Sequence, residues 1–233
     1  VERGLAESRE KAARLILAGE VLVDGRRVDK AGALVSTEAE IDVRGGAPYV
    51  SRGGEKLDAA LTEFGIVLEE RIILDVGAST GGFTDCLLQH GAARVFAVDV
   101  GYGQLAWSLR QDPRVINLER RNIRTLDPAE LTETPTLAVI DASFISLSLV
   151  LPPVLALIAP CGTVIALIKP QFEAGKDRVG KGGVVRDPAL HAEVVARLRA
   201  QADEWQVDVK GVIESPLFGP KGNKEFLFWL QKR

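Results

Sequence analysis

Along most of the chain, short apolar runs alternate with stretches whose apolar positions recur every three or four residues. The runs at 72–76, 95–98, 115–118, 137–140 and 163–168 are dominated by Val, Ile, Leu and Ala and have the length of strands. Helical patterns separate most of them, and strands alternating with helices predict a parallel, doubly wound sheet. Two more runs, 207–213 and 226–230, follow a helix expected over 191–204. The connection between them holds Pro216, Gly219 and Pro220, which predicts an antiparallel final pair and seven strands in all.

Residues 1–45 carry a different pattern. Ser8 is placed to cap a helix whose Ala12, Leu15 and Ile16 share one face, and Gly19 is placed to end it. Val21-Leu22-Val23 and Arg26-Arg27-Val28 flank Asp24-Gly25, a strong two-residue hairpin signal, and a strand around 41–43 closes the unit. Gly45-Gly46-Ala47-Pro48 reads as linker. The expected division is therefore a small α/β domain over 1–45, a linker over 46–55 and a Rossmann-like domain over 56–233.

Composition narrows the class. The 233 residues are 46% hydrophobic, enough for a sizeable core, and no apolar run reaches the ~20 residues of a membrane-spanning helix. The longest candidate, 147–159, contains Pro152 and Pro153. Two cysteines are too few for a disulfide framework, and there is no signal-peptide pattern, so a cytoplasmic location is expected. The chain starts at Val1 in mid-pattern and contains no Met, so a fragment with an incomplete first domain is expected. The net charge of −3 gives nucleic-acid binding no general help, so any such contact must be local. Cys86 and Cys161 are expected as packing residues, His90 at a helix end and His191 on a solvated helix face, none with a chemical role.

The strand at 72–76 runs into Asp75-Val76-Gly77-Ala78-Ser79-Thr80-Gly81-Gly82-Phe83-Thr84. Such a glycine-rich turn lets a nucleotide cofactor approach the backbone. Its spacing is not the G-x-G-x-x-G that cradles a pyrophosphate, and a looser turn suits S-adenosylmethionine, which has no phosphate. Asp99, at the end of the next strand, can accept hydrogen bonds from ribose hydroxyls. The expected cofactor residues are Asp75, Gly77, Ser79, Gly81, Gly82, Phe83 and Asp99. Asn122 can reach the adenine or cap its own loop.

Two resemblances follow. Gly4-Leu5-Ala6, Ser8-Arg9, the Lys11 to Arg14 helix, Gly19-Glu20-Val21 and Val23-Asp24-Gly25 with Val28 resemble the S-four-type RNA-binding domain. That likeness implies RNA contacts from Arg9, Lys11, Arg14, Arg26 and Arg27, although acidic and basic residues nearly balance in this segment. Ser51-Arg52-Gly53-Gly54-Glu55-Lys56-Leu57, Asp141-Ala142-Ser143-Phe144-Ile145-Ser146-Leu147, Lys169-Pro170-Gln171-Phe172-Glu173 and Gly222-Asn223-Lys224-Glu225-Phe226-Leu227 resemble the TlyA family. These are FtsJ-like rRNA methyltransferases, often labelled hemolysins, and the likeness covers essentially the whole chain. It implies a Lys-Asp-Lys-Glu tetrad at Lys56, Asp141, Lys169 and Glu225, S-adenosylmethionine as cofactor, and ribose 2′-hydroxyls of rRNA, with cytidine as the target.

The positions support the tetrad. Asp141 and Lys169 follow parallel strands at the carboxyl edge where such sheets bind ligands, and Glu225 begins the antiparallel strand at the same edge. A ribose hydroxyl must lose its proton near the moment of attack, and Lys169 is the expected base, with Lys56 as the neighbouring cation. Asp141 and Glu225 would orient them. The glycine-rich segment 169–186 adds Lys176, Arg178, Lys181 and Arg186 as a second RNA surface, with Arg52 near the site. Amino-group methylation would call for Asn/Asp-Pro-Pro-Tyr where Asp141-Ala142-Ser143-Phe144 stands, and pyrimidine-carbon methylation would call for a catalytic cysteine. The expected partners are rRNA or ribosomal subunits, with no DNA, membrane or metal. Two other readings remain at this point: a membrane-active hemolysin, and an RNA-binding protein whose cofactor pocket is not catalytic.

Overall fold

The computed structural model describes every residue except 7, 18 and 44–46, and leaves out the side chains of Lys176 and Pro220. Gly45 and Gly46, read as linker, lie outside the described residues. The chain forms two compact units, Val1–Pro48 and Tyr49–Arg233.

The first unit holds α1 (Arg9–Leu17), β1 (Val21–Val23), β2 (Arg26–Val28) and β3 (Ile41–Val43). The strands are antiparallel in the order β2-β1-β3. Ser8 Oγ accepts the Lys11 N–H at 3.1 Å, which satisfies one of the donors left open at the helix start. Asp24 and Gly25 both have positive φ, 49° and 76°, the geometry that lets a two-residue turn follow the strand twist. No α1 residue is fully buried; Ala12, Leu15 and Ile16 line an open apolar hollow of about 450 Å³ with Val21, Val23 and Ile41.

The second unit runs α2 (Gly53–Phe64), β4 (Ile72–Val76), α3 (Gly82–Gln89), β5 (Arg94–Asp99), α4 (Trp107–Arg110), β6 (Val115–Glu119) and β7 (Leu137–Ile140). It continues through α5 (Leu147–Leu157), β8 (Thr163–Ile168), α6 (Pro170–Glu173), α7 (Pro188–Ala200), β9 (Val207–Glu214) and β10 (Phe226–Lys232). Gly53, Gly54 and Glu55, read from composition as linker, form the first turn of α2. The sheet order is β6-β5-β4-β7-β8-β10-β9, parallel from β6 to β8, with β10 antiparallel to both neighbours. Helices cover both faces, so successive residues of one strand enter different cores. Leu74 and Val76 of β4 pack with α5 and α7, while Ile73 packs with α2 and α3. β8 splits in the same way, with Val164, Ala166 and Ile168 on one side and Ile165 and Leu167 on the other.

Three expectations are corrected. The helix placed at 191–204 begins at Pro188, because Asp187 caps it by accepting the Ala189 N–H at 2.9 Å and Pro188 suits the first turn. His191 shares the inward face of this helix with Leu190, Val194 and Leu198 and is buried, with Nε2 3.0 Å from the Val185 carbonyl. Cys161 does not pack; it is exposed in the turn before β8, at φ 56°. Among the described residues, no helix is long and apolar enough to cross a membrane.

Candidate active site

At the carboxyl edge of β4, Gly77 takes φ 86°, and a Cβ there would lie 2.7 Å from the Asp141 carbonyl oxygen. Only glycine lets the β4 turn close against the end of β7 in this way. Two hollows open on either side of this contact. The first, about 350 Å³, is lined by Gly77, Ser79, Asp99, Asn122, Asp141 and Ser143, with Val98, Val100, Ile123 and Ile145 as apolar wall. The second, about 550 Å³, shares Gly77, Ser79, Asp141 and Ser143 and adds Arg52, Lys56, Gly82, Phe83, Lys169, Phe218 and Glu225.

All four expected catalytic side chains therefore face one hollow. They reach it from α2, from the residues following β7 and β8, and from the residue preceding β10. They form two ion pairs. Lys56 Nζ donates to Glu225 Oε2 at 2.6 Å, and both side chains are almost fully buried. Lys169 Nζ lies 2.5 Å from Asp141 Oδ1 and also donates to Ser143 Oγ at 2.8 Å.

The cofactor residues divide. Asp99 Oδ2 accepts the Ser79 N–H at 2.8 Å and its Oδ1 accepts the Gly101 N–H at 2.7 Å, which fixes the carboxylate on the rim of the first hollow. A carboxylate has about four acceptor positions, so further donors fit. Asn122 lines the same hollow while its Oδ1 accepts the Arg124 N–H at 3.1 Å, so it caps its own turn as well. Gly82 and Phe83 line the second hollow. Asp75 and Gly81 line neither. Gly81 makes room for Leu109 and Leu105. Asp75 is wholly buried beneath the turn, with Thr84 Oγ1 donating to its Oδ2 at 2.6 Å. Burial first, then the carboxylates of Asp141 and Asp99, push Asp75 up to about 7 against the pull of Thr84.

Of the expected RNA contacts, Arg9, Arg14 and Arg26 are exposed and Lys11 is half-buried. Arg27 is exposed and lies across Gly19. Arg52 is exposed at the second hollow, with one guanidinium nitrogen 3.4 Å from the Phe218 carbonyl. Lys181 and Arg186 are exposed, while Arg178 forms an ion pair with Glu193. The Lys176 side chain lies outside the described residues. Cys86 is buried near Asp58 and His90, and His90 Nε2 is 2.8 Å from Asp58 Oδ1. Burial, followed by the charges of Asp58, Asp85 and Asp75, pushes the Cys86 thiol up to about 12, so it stays protonated and packs. Ser143 stands out in the sequence only as part of a motif; its bond to Lys169 depends on where two loops meet and is not visible in spacing.

Comparison with known proteins agrees with this architecture. The 16S/23S rRNA (cytidine-2′-O)-methyltransferase TlyA of Mycobacterium tuberculosis is 49% identical over 99% of this chain and 87% of its own length. Hemolysin A of Brachyspira hyodysenteriae is 42% identical, covering 96% of this chain and 94% of its own. A solved structure from Streptococcus thermophilus that carries a hemolysin name superposes with a TM-score of 0.79 at 46% identity, over 99% of this chain and 85% of that one. The S4 domain matches residues 1–41 and the FtsJ-like methyltransferase family matches residues 49–232. The chain belongs to the FtsJ-like methyltransferase family and carries an S4 domain ahead of its methyltransferase domain.

Proposed function

We propose that this protein methylates ribose 2′-hydroxyls of ribosomal RNA, with cytidine as the target nucleotide, in the cytoplasm where ribosomal subunits are found. The observation that carries the reading is the convergence of Lys56, Asp141, Lys169 and Glu225 on one hollow that adjoins a second, nucleoside-sized one. Relatives at 49% identity that are named cytidine-2′-O-methyltransferases support the acceptor and the base.

The first hollow fits S-adenosylmethionine. It has the size of ordinary ligand pockets, an apolar wall for a base, a fixed carboxylate for ribose hydroxyls and a turn stripped of Cβ at Gly77. Asp99, Asn122, Ser79 and Gly77 would hold it, and when bound it supplies an electrophilic methyl group on a sulfonium. Asp75 is proposed to support the turn from beneath instead of touching the cofactor.

The chain's own residues do the rest. Lys169 Nζ, in its neutral amine form, takes the proton of the 2′-hydroxyl to become an ammonium facing Asp141, and the O–H electron pair stays on oxygen and makes it nucleophilic. Asp141 holds Lys169, and the Lys56–Glu225 pair fixes the opposite wall and supplies the second cation. Arg9, Lys11, Arg14, Arg26 and Arg27 of the S4 domain, with Arg52, Lys176 and Lys181, track phosphates and bring the nucleotide to the hollow. The test is Lys169→Ala. Cofactor and RNA affinity should stay within about twofold while kcat falls by ~10²–10⁴, the range for loss of a general base. Unchanged kcat in a folded variant would remove Lys169 from the role.

A further inference from the structure

We propose that Ser143 is a positioning residue for Lys169: its hydroxyl fixes rotation of the lysine nitrogen so that the valence receiving the substrate proton opens into the hollow. The inference rests on Lys169 acting as the base. Two partners hold that nitrogen, and they differ in kind. Asp141 Oδ1 is close, at 2.5 Å, but the contact lacks the angles of a hydrogen bond and Oδ1 has no other hydrogen-bond partner. An ion pair of this sort attracts the charge without orienting its N–H bonds. The Ser143 contact, 2.8 Å from Nζ to Oγ, does have hydrogen-bond geometry.

A lysine ammonium rotates about Cε–Nζ and presents three equivalent directions. Directional capture of one N–H by Ser143 leaves two, and on the neutral amine one of these is an N–H drawn towards the Asp141 charge. The remaining direction carries the lone pair when the amine is neutral. In the transfer, the O–H bond of the substrate hydroxyl breaks and an N–H bond forms at Lys169 Nζ. Ser143 gains and loses no proton.

The placement of Ser143 supports this role. It lines both hollows and so sits where the acceptor oxygen and the cofactor would meet. Its loop is held at both ends. Asp141 N–H donates to the Val76 carbonyl at 2.9 Å. At the far end, the buried Glu173 carboxylate accepts Ser146 Oγ–H at 2.8 Å and the Leu147 N–H at 2.6 Å. Glu173 belongs to α6, which starts directly after Lys169, so the serine and the lysine ride on segments bonded to each other. A side chain held this way can direct a lone pair to the tolerance that proton transfer requires.

The experiment compares Ser143→Ala, Ser143→Thr, Lys169→Ala and the Ser143→Ala/Lys169→Ala double variant, each checked by circular dichroism and cofactor titration. Ser143 is exposed, so its truncation spares the core. The expected result for Ser143→Ala is a ~10–100-fold loss of kcat with KM for RNA and cofactor affinity within twofold. Ser143→Thr, which keeps the hydroxyl, should recover most of that loss. The double variant should be no slower than Lys169→Ala alone, because the serine acts through the lysine. Normal kcat in Ser143→Ala beside an inactive Lys169→Ala overturns this inference and leaves the base assignment standing. A fully active Lys169→Ala overturns both. Equal loss in Ser143→Thr, or further slowing in the double variant, shows that Ser143 does something other than hold Lys169.

Discussion

The two ion pairs of the second hollow share their chemistry and differ in their access to solvent. The two lysine side chains are equally buried, 8% and 9% exposed, but Glu225 is fully buried whereas Asp141 retains 24%. Lys56 and Glu225 make a directional bond and join α2 to the start of β10 across 169 positions of sequence. Lys169 and Asp141 follow adjacent parallel strands, and the contact between them is not a hydrogen bond. Under the proposed function the first pair is a strut, and the second exchanges partners when a substrate arrives. Burial of the carboxylate, not of the lysine, separates the two pairs.

The difference can be broken from the buried side first. Lys56→Ala strands the Glu225 carboxylate, and removing one member of a buried pair costs roughly 3–5 kcal/mol. Denaturant unfolding should show that loss for Lys56→Ala and a much smaller one for Lys169→Ala. Similar losses in the two variants would erase the distinction.

Asp75 sharpens it, as a buried carboxylate whose hydrogen bond comes from a hydroxyl and not from a lysine. Its folded pKa, about 7, lies above the ordinary value of 3.8. The folded state therefore binds the proton more tightly, and Asp75 contributes most below about pH 4 and loses that contribution as pH rises towards 7. A raised acid of this size corresponds to roughly 4 kcal/mol at most. Asp75→Asn should match the parent protein near pH 4 and exceed it in stability at pH 8, as read by unfolding at the two pH values. A pH-independent difference would contradict the assignment.

A smaller effect is expected where the two hollows meet. Gly77→Ala forces a side chain into positive φ and towards the Asp141 carbonyl, a strain of about 1–3 kcal/mol. Cofactor affinity, measured by calorimetry, should fall in proportion, by about tenfold or more. The smallest effect belongs to the first unit. Arg14→Glu, an exposed change on α1, should weaken RNA binding and lower the salt dependence of log K by about one while leaving kcat intact.

These contrasts were unevenly legible in the sequence. The bounds of β4, β7 and β8 match the apolar runs residue for residue, because strands buried on both faces leave an uninterrupted signal. The apolar pattern starts α7 at 191 and puts His191 on its solvated face, whereas the helix begins at Pro188, where Asp187-Pro188 carries the capping information, and buries His191. The tetrad was legible through motifs spread over 170 residues of sequence, from Lys56 to Glu225. Its pairing was not, since Lys56 meets Glu225 and Lys169 meets Asp141 only once strand order places the segments. The same limit hid Asp75, which reads as a cofactor contact by position yet faces Thr84, and Arg178, which meets Glu193.

The most direct test is transfer of a labelled methyl group from S-adenosylmethionine to unmodified ribosomal subunits, followed by digestion and nucleoside mass spectrometry. The expected product is 2′-O-methylcytidine, absent when Lys169→Ala replaces the parent protein. Label on a base, or the same ribose product from Lys169→Ala, would contradict it.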